Sequence, residues 1–287
     1  MDPQAMRKFL ACYPQPAFPS VSLTGTRCDL SCKHCMGKYL RFMIPCEKPE
    51  ELLRVGFELA AQGAKGLLIS GGYNSAGHVP LEPFLGALRL LKKETGLFLN
   101  LHTGLVPKGL VQELAEIEVD MVSFDLVGDG ETVEMVSGIR REPEEYGAVL
   151  AELLSSIPHV VPHICLGLHA GRMVGESRAI RMLMELEVRS VVFLVLIPTR
   201  GTPFERVPPP QLVEVERIFT EARERLPKAE LILGCMRPGG RYREKLDELA
   251  LRKGFSRIAL PSPRTVGLAK EMGLEVERLE GCCAIPI

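Results

Sequence analysis

Residues 66–104 read GLLISGGYNSAGHVPLEPFLGALRLLKKETGLFLNLHTG. The apolar runs GLLISGG (66–72) and LFLNLHTG (97–104) have strand character. Between them PLEPFLGALRLLKKETG carries a helical apolar period, opens with proline near its first turn and closes on glycine. A strand, a helix and a strand in this order imply a parallel pair with a helical crossover.

The unit recurs along the chain. Further strands are expected at VSLTGT (21–26), DMVSFDLV (120–127), HICLGL (163–168), VVFLVLIP (191–198), ELILGCM (230–236) and RIALPS (257–262). Helical patterns such as PEELLRVGFELAAQG and QLVEVERIFTEARERL fall between strands, and PPPQ (208–211) reads as a helix start. Eight such units predict an α/β protein with a (β/α)8 TIM-type barrel. Residues 1–287 are expected to form one domain, with 1–20 as an N-terminal extension and 274–287 as a cysteine-bearing C-terminal tail. An open doubly wound sheet is the competing arrangement, but the glycines at 71–72 match its phosphate-binding turn poorly.

Composition narrows the function. The chain is 46% hydrophobic and 25% charged with a net charge of −1, so no global field draws it to nucleic acid or an anionic membrane. No apolar run is long enough to span a membrane, and MDPQAMRKFL lacks the core of a signal peptide. A cytoplasmic location is expected, and there nine cysteines suggest metal or redox chemistry rather than a disulfide framework.

Barrel active sites lie at the carboxyl ends of the strands. At those ends stand Cys28, Cys32 and Cys35, then Gly71 and Gly72, His102, Asp125, His163, Cys165 and His169. Thr199, Arg200, Cys235, Arg237, Ser262 and Arg264 complete the rim. The stretch CDLSCKHC (28–35) sets three thiols at C-x3-C-x2-C spacing. Structural zinc would want a fourth ligand, and no second cysteine pair of suitable spacing supplies it. A cubane iron–sulfur cluster held by three thiolates keeps one iron open for a chelating small molecule. An electron-transfer cluster is the third reading.

C-x3-C-x2-C after the first barrel strand resembles the radical S-adenosylmethionine (SAM) superfamily, with His34 where that family usually has an aromatic residue. The resemblance implies a SAM-binding 4Fe–4S cluster on Cys28, Cys32 and Cys35. It also implies that Ser70–Gly72 is the glycine motif that helps hold the methionine amino group, through Gly71 and Gly72. The motif's usual acidic and proline followers are absent here. DMVSFDLVGDGETVEMVSGIRREPEEYGAVLAEL (120–153) and VVFLVLIPTRGTPFERVPPP (191–210) resemble the biotin synthase and lipoyl synthase branch. By that resemblance Asp125 meets the cofactor's ribose and Arg140 or Arg141 its carboxylate. Surface pairing of those arginines with Glu142, Glu144 or Glu145 is the plainer alternative.

Both enzymes of that branch insert sulfur at unactivated carbon and carry an auxiliary cluster. Their auxiliary-cluster motifs are missing here, although Arg237 sits where biotin synthase has an arginine ligand. Cys12, Cys46, Cys235, Cys282 and Cys283 are the candidates for a second cluster, whereas Cys165 reads as a small buried hydrophobe. IPC (44–46) and GCMRPGG (234–240) are similar to a group of two-protein lipoyl synthases. That implies a related radical SAM partner subunit, an octanoylated lipoyl carrier protein as substrate and a ferredoxin- or flavodoxin-type electron donor. The alternative is a one-cluster radical SAM mutase, dehydrogenase or cofactor-building lyase.

Overall fold

The structure is a computed structural model and describes residues 8–286; the first seven residues of the expected N-terminal extension lie outside them. In chain order the first half contains β1 (Lys8–Cys12), β2 (Ser20–Ser22), β3 (Ile44–Pro45), α1 (Pro49–Ala61), β4 (Gly66–Ser70) and α2 (Leu85–Glu94). It continues with β5 (Phe98–His102), α3 (Lys108–Glu116), β6 (Met121–Asp125), α4 (Gly130–Ser137) and α5 (Pro143–Ser156). The second half contains β7 (His159–Leu166), α6 (Glu176–Glu185), β8 (Ser190–Val195), α7 (Leu212–Arg225) and β9 (Glu230–Leu233). It ends with α8 (Gly240–Arg252), β10 (Arg257–Ala259), α9 (Pro263–Glu271) and β11 (Glu275–Leu279). Each of the eight expected strands is present, and α7 starts directly after PPPQ, with Gln211 as its N-cap.

All strand pairs are parallel, in the order β11-β1-β10-β9-β8-β7-β6-β5-β4-β2-β3. From β2 to β10 the order follows the sequence except for the short edge strand β3. Every crossover therefore steps the same way, and right-handed connections put the helices on one face. The result is the expected α/β barrel in an open form, with β3 and β11 as free edges. Both edges are chemically suited to stay unpaired: Pro45 removes a ladder donor from β3, and β11 carries Glu275, Glu277 and Arg278. Among the described residues, β1 inserts between β10 and β11.

The period of two in each strand divides the residues between two environments. Leu99, Leu101, Val122, Phe124, Val191 and Phe193 turn outward into the main core under the helices. There Phe193, Phe219 and Phe255 stack with centroids 4.4 to 5.6 Å apart. The alternate residues, Asn100 and His102 on β5, Ser123 and Asp125 on β6, His163 and Cys165 on β7, occupy the concave face. Among the described residues, no helix is long and apolar enough to cross a membrane.

Candidate functional site

Cys28, Cys32 and Cys35 lie in the loop after β2, each partly exposed. The loop is folded on itself: the Cys35 and Met36 amides both donate to the Cys32 carbonyl, at 2.9 and 2.8 Å. Ser31, Met36 and Gly37 take positive φ angles, so the chain turns tightly around the thiols. Three neighbours fix it. The Asp29 amide donates to the Tyr73 carbonyl at 2.8 Å, the Lys33 amide to the Val136 carbonyl at 2.9 Å, and the Phe204 amide to the Lys33 carbonyl at 3.3 Å. Lys38 and Tyr39 clasp the loop after β8, through the Arg200 carbonyl at 2.7 Å and the Thr199 hydroxyl at 2.5 Å.

Gly72 is where the loop touches β4. A Cβ built on it would stand 1.9 Å from the Arg27 carbonyl oxygen and 2.6 Å from Cα and Cβ of Cys28. The Gly72 amide donates to the Thr24 hydroxyl at 2.7 Å, and the same hydroxyl donates to the Arg27 carbonyl. Gly71 is less constrained, with its nearest contacts at 3.3 Å. The second glycine thus has a spatial reason: the thiol loop lies directly against its backbone.

Asp125 ends β6 inside the curved sheet, with 42% of its side-chain surface still open. Its carboxylate stands 3.5 Å from His102 Nε2 and accepts from Tyr73 at 3.5 Å. Burial would raise its pKa, but His102 above all, with His163 and His34, carries it down to about 2. Burial lowers the pKa of His102, and the neighbouring Asp125 carboxylate outweighs that and raises it. His163, 5.9 Å from His102 between ring centroids, is driven by burial down to about 4. A carboxylate held ionised with part of its surface open can accept from the hydroxyl groups of a sugar.

The thiols meet the same test of fit. Burial, then the neighbouring Cys35 and Cys28 sulfurs, push Cys32 up to about 12, and burial raises Cys35. A bound cation reverses that balance, because a coordinating thiol loses its proton outright. His34 Nδ1 is buried without a partner in this loop, and burial keeps the ring below its ordinary pKa. An orphaned ring nitrogen beside three thiols is a waiting hydrogen-bond partner for a ligand.

The two arginines separate. Arg140 keeps 86% of its side chain exposed and pairs with Glu134, so it does not enter the cavity. Arg141 is half-buried, bonded to Glu145 at 3.0 Å and to the Ala76 carbonyl at 3.3 Å, and its Nε is buried without a partner. Arg237 is a correction to the ligand reading. Its side chain and that of Asp247 are both fully buried and joined by bonds of 2.8 and 3.1 Å, with a third bond to the Gly234 carbonyl. Each of its three nitrogens is engaged in joining the loop after β9 to α8. His169 is also satisfied elsewhere, on Thr132 at 2.9 Å.

Of the five remaining candidate cysteines, three come together: Cys12, Cys282 and Cys283 belong to the packed cluster of the concave face, and Cys235 is exposed after β9. Cys46 does not join them. It is fully buried in the main core at the β3 edge, its amide bonded to the Ser22 carbonyl. Cys165 faces the concave side, half-buried.

Asn100 and Tyr73 were not singled out by sequence. An asparagine inside the apolar run LFLNLH was the available signal, since a fully buried amide in a strand needs partners.

No protein-family model and no curated protein matches the sequence. The fold does match solved structures. Methylornithine synthase (PylB) superposes with a TM-score of 0.64 at 16% identity, over 95% of this chain and 84% of that one. HydG, a maturase of FeFe-hydrogenase, gives 0.65 at 14% identity, over 88% of this chain and 57% of that one. SuiB of Streptococcus suis bound to precursor peptide SuiA gives 0.56 at 13% identity, over 89% of this chain and 51% of that one. SuiB bound to S-adenosylmethionine matches with the same TM-score. The chain therefore spans most of the first protein and only about half of the other two. At these identities the likeness is one of fold, an open α/β barrel.

Proposed function

We propose that this chain is a radical SAM enzyme. The observation that carries the reading is the seating of the three-thiol loop on Gly72, whose Cβ position the Arg27 and Cys28 backbone fills. Its support is the shared fold, including a neighbour solved with S-adenosylmethionine. Cys28, Cys32 and Cys35 would hold a 4Fe–4S cluster, and SAM would lie between it and Asp125. When bound, the pair supplies one-electron cleavage of SAM and a carbon-centred radical able to remove hydrogen from unactivated carbon.

The chain's own residues have the remaining tasks. Asp125, fixed by His102 and Tyr73, accepts hydrogen bonds from the ribose hydroxyls. His34 Nδ1 bonds the cofactor on the loop side. Arg141 offers its free Nε to the methionine carboxylate, and the backbone at Gly71 and Gly72 faces the amino group. Lys38 and Tyr39 close the loop over β8 and keep solvent out. An arginine–carboxylate bond contributes about 1.5–3 kcal/mol. Arg141→Met should therefore weaken SAM binding on the order of 10- to 100-fold in equilibrium titrations of the reconstituted protein, and Arg140→Met should leave it unchanged. Equal effects would overturn the assignment of Arg141.

The finer reading is sulfur insertion in lipoyl synthesis on an octanoylated carrier protein, with a related partner subunit and a ferredoxin- or flavodoxin-type donor. The packing of Cys12, Cys282 and Cys283 against one another on the concave face favours it. So does the open form of the barrel, because SuiB, of the same fold, was solved with a precursor peptide. Anaerobic incubation with SAM, a reductant and octanoylated carrier should yield 5′-deoxyadenosine, methionine and a carrier heavier by sulfur in mass spectra. SAM cleavage without sulfur gain on any acylated carrier would leave one-cluster radical chemistry. Absence of SAM cleavage would end the radical reading altogether.

A further inference from the structure

The short 3-10 turn Lys38–Phe42, KYLRF, begins three residues after Cys35 and buries none of its five residues. Three of the five, Tyr39, Leu40 and Phe42, are large apolar or aromatic side chains of the kind that cores collect. Phe42 is 87% exposed, the most open large hydrophobic side chain among the described residues, and Met36 just before the turn is 46% exposed. Leaving this surface in water forgoes its burial energy. The turn is nevertheless held firmly. Gly37 starts it in the left-handed conformation, and the Met43 amide closes it on the Leu40 carbonyl at 3.1 Å. Lys38 and Tyr39 bond it to the loop after β8. A fixed turn with an open aromatic tip is preorganised for a contact.

The charge around the tip has one sign. Residues 27–43 and 199–206 together carry six Lys or Arg side chains against two carboxylates, Asp29 and Glu205. The whole chain has a net charge of −1, so the excess is local. The two segments meet in space, because Lys38 Nζ donates to the Arg200 carbonyl at 2.7 Å and the Phe204 amide to the Lys33 carbonyl at 3.3 Å. Arg27 is neutralised by Glu47 at 2.8 Å, and Glu205 accepts from the Gly201 amide at 2.7 Å. Lys33, Arg41, Arg200 and Arg206 are exposed, and none of them pairs with a carboxylate among the described residues.

An aromatic anchor inside a polar rim is the anatomy of a protein–protein interface, and a cationic rim selects an acidic partner. The patch borders the three-thiol loop directly: Lys33 lies between Cys32 and Cys35, and Met36 follows Cys35. We propose that it docks an acidic one-electron carrier protein of the flavodoxin type. The carrier's reduced flavin gives up one electron per SAM cleaved, and no bond or proton crosses the interface. Phe42 and Met36 supply the desolvated contact. The four unpaired cations steer the carrier and turn its acidic face towards the thiol loop. The inference rests on the radical reading above, which requires an electron from outside the chain. The patch itself stands on exposure and charge alone.

Titration of the reconstituted protein with an oxidised, acidic flavodoxin tests the surface. Affinity should fall steeply as salt rises, because exposed charges are screened. A salt-insensitive affinity, or no binding, overturns the proposal without any variant. Phe42→Ala and Arg41→Glu should each weaken binding on the order of 10- to 100-fold. Val213→Ala, at an exposed apolar position on α7, should not. Phe42 and Arg41 are both exposed, so neither change removes packing. Formation of 5′-deoxyadenosine is then read with two reductants. The Phe42 and Arg41 variants should lose the flavodoxin-driven rate and keep the rate driven by dithionite, a small molecule that needs no docking. Equal loss with both reductants would tie the residues to the thiol loop and overturn the docking surface. So would wild-type flavodoxin affinity in both variants, or a loss confined to turnover on an acylated carrier. Absence of SAM cleavage by the wild type with dithionite would remove the radical reading, and the titrations would still decide the surface.

Discussion

Gly72→Ala should strip the three-thiol loop of its metal and abolish SAM cleavage, while Gly71→Ala keeps both. The added methyl would stand 1.9 Å from a carbonyl oxygen and 2.6 Å from a Cα, and these are backbone atoms that no rotamer change can move away. The loop would have to retreat by about 1 Å, and a misplacement of that size costs around 100-fold in rate where reacting groups must be aligned. Here the displaced residue is Cys28, so loss of cluster should precede any loss of rate. The loop is also tied by the Gly72–Thr24–Arg27 hydrogen bonds, and shifting it breaks that chain too. Iron content and 5′-deoxyadenosine formation check the result, with a thermal melt confirming that the sheet remains folded. A Gly72→Ala protein with the wild-type iron count and activity would show that the close contact has no functional weight. Gly71→Ala meets only side-chain and methyl atoms at 3.3 Å, and a few tenths of an ångström of relaxation accommodates it.

Asp247→Ala should be strongly destabilising. It leaves the Arg237 guanidinium charged and unpaired at a position with no solvent access. Breaking one side of a buried pair costs about 3–5 kcal/mol, which corresponds to a fall in melting temperature on the order of 10 °C. Asp247→Asn preserves shape and one acceptor, and should lose less. The pair joins α8 to the loop after β9, so its loss should loosen that end of the sheet. Chemical denaturation measures the effect. A melting curve that matches the wild type would contradict the buried-pair argument.

Much of this was written in local sequence. Strands β2 and β4 to β10 were legible because a period of two and a period of 3.6 are properties of short windows, and glycine and proline punctuate them at helix ends. The position of Cys28, Cys32 and Cys35 after the first unit of the repeat, and of Asp125 at the end of β6, follows from the same periodicities. The structure places Val122 and Phe124 in the core under the helices, and the period of two then turns Asp125 to the other face.

Strands β1, β3 and β11 were not legible. β3 has two residues, and the charged EVERL of β11 has no apolar alternation to reveal it; its partner is found by pairing with β1. Strand pairing is a long-range choice whose loop-closure cost grows only with the logarithm of the separation, so nothing local announces that residue 12 will meet residue 283. For that reason the sequence could name five spare cysteines but not divide Cys46, in the main core, from Cys12, Cys282 and Cys283, which pack together. It could name two arginines but not show that Arg140 faces Glu134 in solvent while Arg141 keeps a buried Nε free. It placed Arg237 beside the cavity, and only the packing of α8 supplied Asp247 to saturate it. Local periodicity determined the elements and the face each residue takes; the order in which the strands associate decided which polar groups found partners and which were left to bind something else.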